Sequence, residues 1–442
     1  MRGRCGALPA ERVGRNEVRP QGETSPSYSM RKVMYTQEEV LDFVQEEDVK
    51  FIRLAFFDIA GKQKNISIMP TELERAFNEG IAIDASGVLG FEGPEKSDLF
   101  LLPDPSTLAI IPWRPMTGKV VRMFCDIQTP DGQAYKKDSR SLLKAACQRL
   151  KKECGIELMV GTEVEFYLFK LDEKGEPTKV PFDRASYMDI APEDHGENIR
   201  RDICFTLEQM GITPEASHHE EGPGQNEIDF RYSDALTAAD NVSTFKWIVN
   251  TKAASNGLYA DFSPKPLAGE AGNGMHINIS YRKAGAGSGA SASAGAGRDE
   301  ELLPYLLGGI YKYIEEITYF LNPSENSYNR LGSSKAPKYV SWGRENRSAL
   351  IRLPASKGSA RLELRSPDPL CNIYLALTLI INAVIEGIQN KIKAPASTEE
   401  NLFDNKVAAR LGFKTLPQSL DEAREIAEKS TFVKAVLGDF EF

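Results

Sequence analysis

Glu163 and Glu165 stand two residues apart in a stretch where Val160, Thr162, Val164, Phe166 and Leu168 alternate with them. A period of two is strand geometry, so the two carboxylates share one side and the mostly apolar set the other. Three further stretches repeat the pattern. Gln225, Glu227, Asp229 and Arg231 oppose Asn226, Ile228 and Phe230; His276, Asn278 and Ser280 oppose Met275, Ile277 and Ile279; Arg361, Glu363 and Arg365 oppose Leu362 and Leu364. A sheet built from these strands buries one face and lines the other with acids, arginines and a metal-capable imidazole. Like charges gathered on one face repel unless something positive sits among them, and a hard divalent cation answers that need. Several carboxylates with one histidine suit Mg²⁺ or Mn²⁺ better than a thiolate-seeking metal. Arginines beside the acids suit anionic ligands, because guanidinium forks match phosphate and carboxylate geometry. One E-x-E pair alone would read as two solvated acids; four such segments together point to a site.

The elements that must position these faces are legible in pieces. Thr36-Gln-Glu-Glu39 reads as a capping box opening a helix that buries Val40, Phe43 and Val44. A strand at 49–57, a turn near Gly61, a strand at 65–69 and a helix capped by Thr71 with Glu74 follow, giving a small mixed domain over 34–132. Asp138 is placed to cap the next helix and Gly155 to stop it, directly before the Glu163 strand; 133–442 would form a second, larger domain that carries the acidic faces. Residues 1–33 set six arginines among Gly, Pro and Ser without an apolar stretch. They read as a disordered extension, with Met30 or Met34 as an alternative start and with acids that speak against a transit peptide. The stretch 284–297 is entirely Ala, Gly and Ser and reads as a flexible surface loop before a helix that starts near Glu300.

Composition narrows the function class. The 442 residues are 41% apolar and 26% charged, enough for one large domain and a smaller one. A formal charge of −9 argues against a nucleic-acid surface, which needs a basic excess. The six cysteines lack zinc or redox spacing, so reduced thiols are expected. No run approaches the roughly 20 apolar residues of a membrane span. A cytoplasmic enzyme acting on small molecules, with no nucleic-acid or membrane partner, is the class that remains.

The chain resembles type I glutamine synthetases in Gly161-Thr-Glu-Val-Glu165, His218-His-Glu220 with Pro223-Gly-Gln-Asn-Glu227, Gly274-Met-His-Ile-Asn278, Asn326-Ser-Tyr-Asn-Arg330, Asn346-Arg-Ser-Ala-Leu-Ile-Arg352 and Arg361-Leu-Glu-Leu-Arg365. The likeness runs from about Val49 to the C-terminal region and takes in Asp84-Ala-Ser-Gly87. It implies an α+β fold, a β-grasp-like N-terminal domain followed by a catalytic domain with a curved antiparallel sheet and flanking helices. It further implies an ATP-dependent carbon–nitrogen ligase that makes glutamine from glutamate and ammonia through γ-glutamyl phosphate. By resemblance Glu165, Glu220 and Glu227 hold one Mg²⁺ or Mn²⁺, and Glu163, His276 and Glu363 a second, with two or more ions per site. Arg347 would act on the phosphate in transfer, Arg352 and Arg361 on nucleotide phosphates, and Asn278 and Ser280 on the nucleotide. Arg330 and Arg365, with Gly272 and Asn273, would take glutamate, while Tyr187 lines the ammonia pocket. His218 and His219 read as structural neighbours of Glu220. Asp84 would complete a neighbour's site in a ring-based assembly, a homododecamer of two stacked hexamers. The 392–416 stretch has no tyrosine, so control by adenylylation is not expected.

Two positions depart from the family pattern. Lys335 stands where the mobile flap carries an acid that helps deprotonate ammonium, and Ala271 replaces an asparagine, leaving Asn273 as the nearest substitute. A cation at the ammonium site would repel ammonium by about 1 to 4 kcal/mol at roughly 4 Å. The bland alternative is that Lys335 turns outward and Glu325 or Glu345 supplies the charge. Ammonia ligation is the favoured reading. A γ-glutamyl ligase for an organic amine and a weakly active regulatory homologue are the alternatives.

Overall fold

The computed structural model describes residues 35–285, 300–356 and 360–438. The extension over 1–33 and all but the first two residues of the Ala/Gly/Ser stretch lie outside the described residues.

The first sheet grows from the capped helix. In α1 (Gln37–Glu46) the Thr36 side chain accepts from the Glu39 N–H, and the Glu39 carboxylate accepts from the Thr36 N–H at 2.7 Å. Val40 and Val44 are buried, while Phe43 is half-buried at the edge of that stripe. β1 (Val49–Phe57) and β2 (Gln63–Ile68) form a hairpin around Gly61, whose φ of +75° suits a residue without a side chain. The next turn differs from expectation. Pro70 opens a short 3₁₀ turn (Pro70–Glu72), and α2 (Leu73–Asn78) begins without any side-chain cap, so Thr71 does not cap it. Proline's fixed φ starts the turn before the threonine can occupy the cap position. β3 (Ile81–Asp84), β4 (Asp98–Pro103), β5 (Ala109–Ile110) and β6 (Lys119–Gln128) complete a sheet of order β2-β1-β6-β4-β3, with β5 on β6 and β1 parallel to β6. Leu54, Val121, Met123 and Leu101 pack under Val40 and Leu73.

The second sheet carries the acids. Asp138 accepts from the Arg140 N–H at the start of α3 (Ser139–Cys154), and Gly155 ends it with φ +68°. β7 (Ile156–Leu171) then runs through the centre of a ten-stranded sheet. β8 (Pro177–Pro181), α4 (Glu197–Gln209), β9 (Pro214–His219), β10 (Gln225–Phe230), β11 (Ser233–Asp234), α5 (Ala235–Ser255), β12 (Leu258–Asp261) and β13 (Met275–Lys283) follow. The chain continues with α6 (Leu303–Leu321), α7 (Glu325–Arg330), β14 (Trp342–Arg344), β15 (Ile351–Leu353) and β16 (Leu362–Leu364). It closes with α8 (Ile373–Gln389), α9 (Asn405–Leu411), α10 (Leu420–Lys429) and α11 (Thr431–Leu437). Strand order is β14-β15-β16-β13-β7-β10-β9, with β8, β11 and β12 also pairing with β7. α6 starts three residues after Glu300, with Pro304 in its first turn.

The apolar face expected from the alternation is the buried one. Val160, Val164, Phe166, Leu168, Ile228, Phe230, Met275, Ile277, Ile279, Leu362 and Leu364 belong to one core with α3, α5, α6 and α8. A methyl group on Gly309 of α6 would lie 2.0 Å from the Ala383 carbonyl of α8, so these two helices meet backbone to backbone. Phe57 of β1 packs on Tyr374 of α8 with ring centroids 4.6 Å apart. Beside that seam Arg140, 1% exposed, pairs with Asp104, Asp126 and Asp240. Removing one partner of such a buried set costs about 3 to 5 kcal/mol. The fold is α+β, and the seam joins the first sheet to the helices behind the acidic face.

Candidate active site

Register places the chemistry. Glu165 of β7 pairs with Glu227 of β10, which pairs with His218 of β9. One step along, Glu163 lies between Asp229 of β10 and His276 of β13. One step further, Gly161 faces Asn278, and Asn278 faces Glu363 of β16. Cross-strand neighbours on one face stand about 5 Å apart, so three rows of polar side chains converge.

Two groups of potential ligands emerge, each with ligand atoms within 4.8 Å of one another: Glu163, His276 and Glu363; and His218, Glu220 and Glu227. The first matches the expected set. His276 Nδ1 lies 3.1 Å from Glu163 Oε2 and 3.7 Å from Glu363 Oε1. Burial and the neighbouring Arg365 push His276 down from its ordinary value, against the opposing pull of Glu163 and Glu363. Burial pushes Glu163 up, but the hydrogen bond and charge of His276 and the hydrogen bond of Asn278 outweigh it and hold the carboxyl at about 2. Glu363 is likewise pulled below the usual range against its burial, by His276 and Arg365. Arg352 and Arg365 both bond to it.

The second group differs from expectation in one member. His218 Nε2 stands 3.4 Å from Glu227 Oε1 and its Nδ1 3.6 Å from Glu220 Oε1, so the register brings this ring in among the acids. Glu165 instead accepts from the Gly274 N–H, just before β13, at 2.7 Å and from Gln225 Nε2 of β10 at 3.3 Å. Its charge still belongs to the cluster. Burial, then Glu227 and Glu220, push Glu165 well up; burial, then Asp229 and Glu220, do the same to Glu227. Burial raises Glu220, and burial with Glu163 raises Asp229 to about 7. Burial and mutual repulsion thus raise all four carboxyls, and a divalent cation set among them would relieve that repulsion.

Guanidinium groups wall the face. Arg361 Nε donates to Asn278 Oδ1 at 2.8 Å, and Asn278 Nδ2 donates to Glu163 Oε1 at 2.8 Å. Ser280 lies half-buried two residues beyond Asn278 on β13. Arg330 donates to the Ser366 carbonyl at 2.8 Å and the Arg365 carbonyl at 3.2 Å. A methyl group at Gly274 would lie 2.5 Å from an Arg330 terminal nitrogen, so only glycine lets this guanidinium lie against the strand. Gly272 is nearby, its carbonyl accepting from Gln225 Nε2 at 3.1 Å. Asn273 is not a free ligand donor. It is fully buried, donates to the Asp261 and Ser263 carbonyls and accepts from Gln225, because its loop folds inward under the site.

The mouth carries the remaining expected residues. Tyr187, 47% exposed, meets the His218 ring edge-on at 5.5 Å. Lys335 bonds to Glu221, whose N–H donates to Glu220 Oε2 at 3.1 Å. Arg347 is exposed, and its charge is felt by Tyr187. Asp84 is not gathered with these groups: it ends β3 in the other sheet, exposed, with Ser86 and Ser97 as partners. Two residues without an expected role also line the face. Asp229 shares the polar side of β10, a position its alternation had already indicated. Tyr232, 48% exposed, lies 3.4 Å from where a Gly161 methyl would sit, and no period marks it in the sequence.

Known proteins resemble the chain over most of its length. The glutamine synthetase catalytic domain matches residues 136–441, and the glutamine synthetase β-grasp domain residues 48–130. The chain is 46% identical over 411 residues to a glutamine synthetase of Methanosarcina mazei, with 92% of each chain covered. It is 43% identical over 409 residues to one of Clostridium saccharobutylicum, again with 92% of each covered. Among solved structures, a GmaS/ADP complex superposes with a TM-score of 0.81 at 26% identity, covering 90% of this chain and 92% of that one. Plasmodium falciparum glutamine synthetase shares the fold at TM-score 0.79 and 24% identity, covering 93% and 94%.

Proposed function

Because the chain belongs to the glutamine synthetase family, we propose that it joins ammonia to the γ-carboxylate of glutamate using ATP, giving glutamine, ADP and phosphate. The observation that carries this reading is the acidic face, where two ligand groups adjoin a wall of arginines. Glu163, His276 and Glu363 would hold one divalent cation, and Glu220 and Glu227, with Glu165 and His218 beside them, another. Such ions, Mg²⁺ or Mn²⁺, neutralise the two anions that must meet and stabilise the phosphate in transfer.

The protein's own groups account for the rest. Glutamate's α-carboxylate finds guanidinium partners in Arg330 and Arg365, which turns its γ-carboxylate toward the nucleotide. Arg352 and Arg361 face the phosphates, with Arg347 at the mouth. The γ-carboxylate oxygen attacks the γ-phosphorus of ATP, forming γ-glutamyl phosphate and releasing ADP. Ammonia attacks the acyl carbon, a proton passes to the acidic pocket by Tyr187 and Glu220, and phosphate departs. Tyr232 offers an aromatic face beside the Asn278 row.

A second reading rests on Tyr187, Met188 and Ile190, which are 47%, 58% and 75% exposed beside the pocket and would suit the apolar body of an organic amine. The discriminating experiment is phosphate release from ATP and glutamate with ammonium and with a panel of primary amines, product identified by mass spectrometry. Turnover with an amine and none with ammonium would overturn the first reading. We also place the boundary between the N-terminal and catalytic domains at 132/133 and read the protein as a cytoplasmic ring-based homo-oligomer, with Asp84 serving a neighbouring subunit's site.

A further inference from the structure

Behind the hairpin that carries His218, Glu220 and Glu227 lies a buried polar network that the proposed reaction does not use. His219 is fully buried and Asp183, Asp194, Arg200 and Asn226 are 6%, 3%, 4% and 1% exposed. Asp183 Oδ1 accepts from His219 Nε2 and from the Gly224 N–H, each at 2.9 Å, and Asp183 Oδ2 accepts from the His195 N–H at 3.1 Å. On its other side His219 Nδ1 lies 2.6 Å from the Glu220 carbonyl, an acceptor only, so that nitrogen donates. Asp194 accepts from Arg200 and from the Gly196 N–H. Arg200 donates onward to Asn226 Oδ1 at 2.6 Å, and Asn226 donates to the Gly224 carbonyl at 2.9 Å.

The chain thus grips the Glu220–Glu227 hairpin at three backbone points: the Glu220 carbonyl, the Gly224 N–H and the Gly224 carbonyl. Two of these belong to Gly224, at the end of the turn between the acids, and the third belongs to one of the acids itself. Asp183, Asp194 and His219 also bring ligand atoms within 4.8 Å. A cation there is disfavoured, because both ring nitrogens already face acceptors and the Arg200 guanidinium occupies Asp194. Burying this many polar groups costs free energy unless each is bonded, and the bonds converge on one hairpin.

We propose that the Asp183–His219 pair, backed by Asp194, Arg200 and Asn226, is a positioning unit that holds Glu220 and Glu227 at the spacing a divalent cation requires. This rests on the metal-dependent reading above. Outer partners of this kind carry about 10- to 100-fold in metal affinity. Arg330 and Arg365 are anchored elsewhere, on the Ser366 carbonyl and on Glu363, so glutamate recognition should be insulated from the network.

The test is Mn²⁺ binding by calorimetry on the full chain, with steady-state kinetics alongside. Asp183→Ala, which loses all three bonds, should weaken Mn²⁺ binding by about tenfold or more. Asp183→Asn, which keeps an acceptor for His219 and Gly224, should recover most of that loss. The KM for glutamate at saturating metal should stay within about twofold of wild type, since the arginines are untouched. A folded Asp183→Ala protein with wild-type Mn²⁺ affinity overturns the proposal. If Asp183→Ala does not fold, His219→Gln decides by the same criterion, since it removes the geometry of the ring bridge while keeping Asp183. Glu227→Gln serves as the control: if it leaves Mn²⁺ binding unchanged, the metal-dependent reading fails, whatever the Asp183 variants do.

Discussion

Lys335 is the residue whose charge opposes the proposed chemistry, and Lys335→Glu tests how much. An unpaired cation about 4 Å from an ammonium ion would repel it by about 1 to 4 kcal/mol. The structure reduces that figure. The Lys335 side chain is 65% exposed and its ammonium rests on the Glu221 carboxylate, so solvent and partner both screen it. An exposed pair of this kind acts at about 0.2 to 1 kcal/mol, which is about 1.5- to 5-fold in an apparent affinity. Replacing the lysine by glutamate reverses the local sign and releases Glu221. The KM for ammonium should therefore fall by a factor in that range, and the ratio of phosphate released to glutamine formed should move toward one. Lys335→Ala should give a smaller drop, and Lys335→Ala combined with Glu221→Ala should return near wild type, because the pair is close to neutral as a unit. The assay is steady-state kinetics at saturating ATP and glutamate, at low and at high salt, since screening must shrink a real electrostatic effect. An unchanged KM for Lys335→Glu at low salt, or a change indifferent to salt, would refute the reasoning.

Glu165→Ala and Glu227→Ala should each reduce turnover to background while the chain stays folded, because deleting an acid from a crowded cluster relieves repulsion; near-normal turnover at saturating Mg²⁺ would contradict the metal assignment. The folded-state values of Glu165, Glu220, Glu227 and Asp229 lie above their ordinary ones. Stability from their protonation is present below about pH 4 and is lost as pH rises through the folded values, for Asp229 at about 7. A divalent cation replaces those protons, so the rise in Tm on adding Mg²⁺ should grow between about pH 5.5 and 8; differential scanning fluorimetry that finds a constant increment would rule this out. Light scattering should report a ring-based oligomer, and an active monomer would show that Asp84 has no role in a neighbour's site.

Much of the acidic face was legible because strand periodicity is local. Glu163 and Glu165 are committed to one side by Val164 and Phe166, and the same holds for His276 against Ile277 and for Glu363 against Leu364. The capping box at Thr36 and the stop at Gly155 were legible for the same reason, since each is set by neighbours within four residues. What the sequence withheld depends on pairing between distant segments. The register of β9 on β10 brings His218 in among the acids, and the Gly274 N–H and Gln225 Nε2 draw Glu165 aside. The missed cap at Thr71 is a smaller case, in which Pro70 pre-empted a signal that the threonine carried alone.

The two ends of the face are unequal in charge, and that inequality divides their work. Around Glu363 stand Arg352, Arg365 and His276, so the acids there are already answered and their carboxyls lie below the usual range. Around Glu227 stand Glu165, Glu220 and Asp229, with the single imidazole of His218 among them, and every carboxyl is pushed up. A cation would therefore gain most at the Glu227 end, where the repulsion among carboxyls is greatest. At the Glu363 end the arginines hold carboxylates that incoming phosphates can displace, so a cation and a nucleotide strengthen each other's hold. In the proposed reaction ammonium would approach the first end and the phosphoryl group the second, with the γ-carboxylate of glutamate between them. On that reading the sheet would sort a cationic reactant from an anionic one by the order in which it sets acids and arginines along three strand rows.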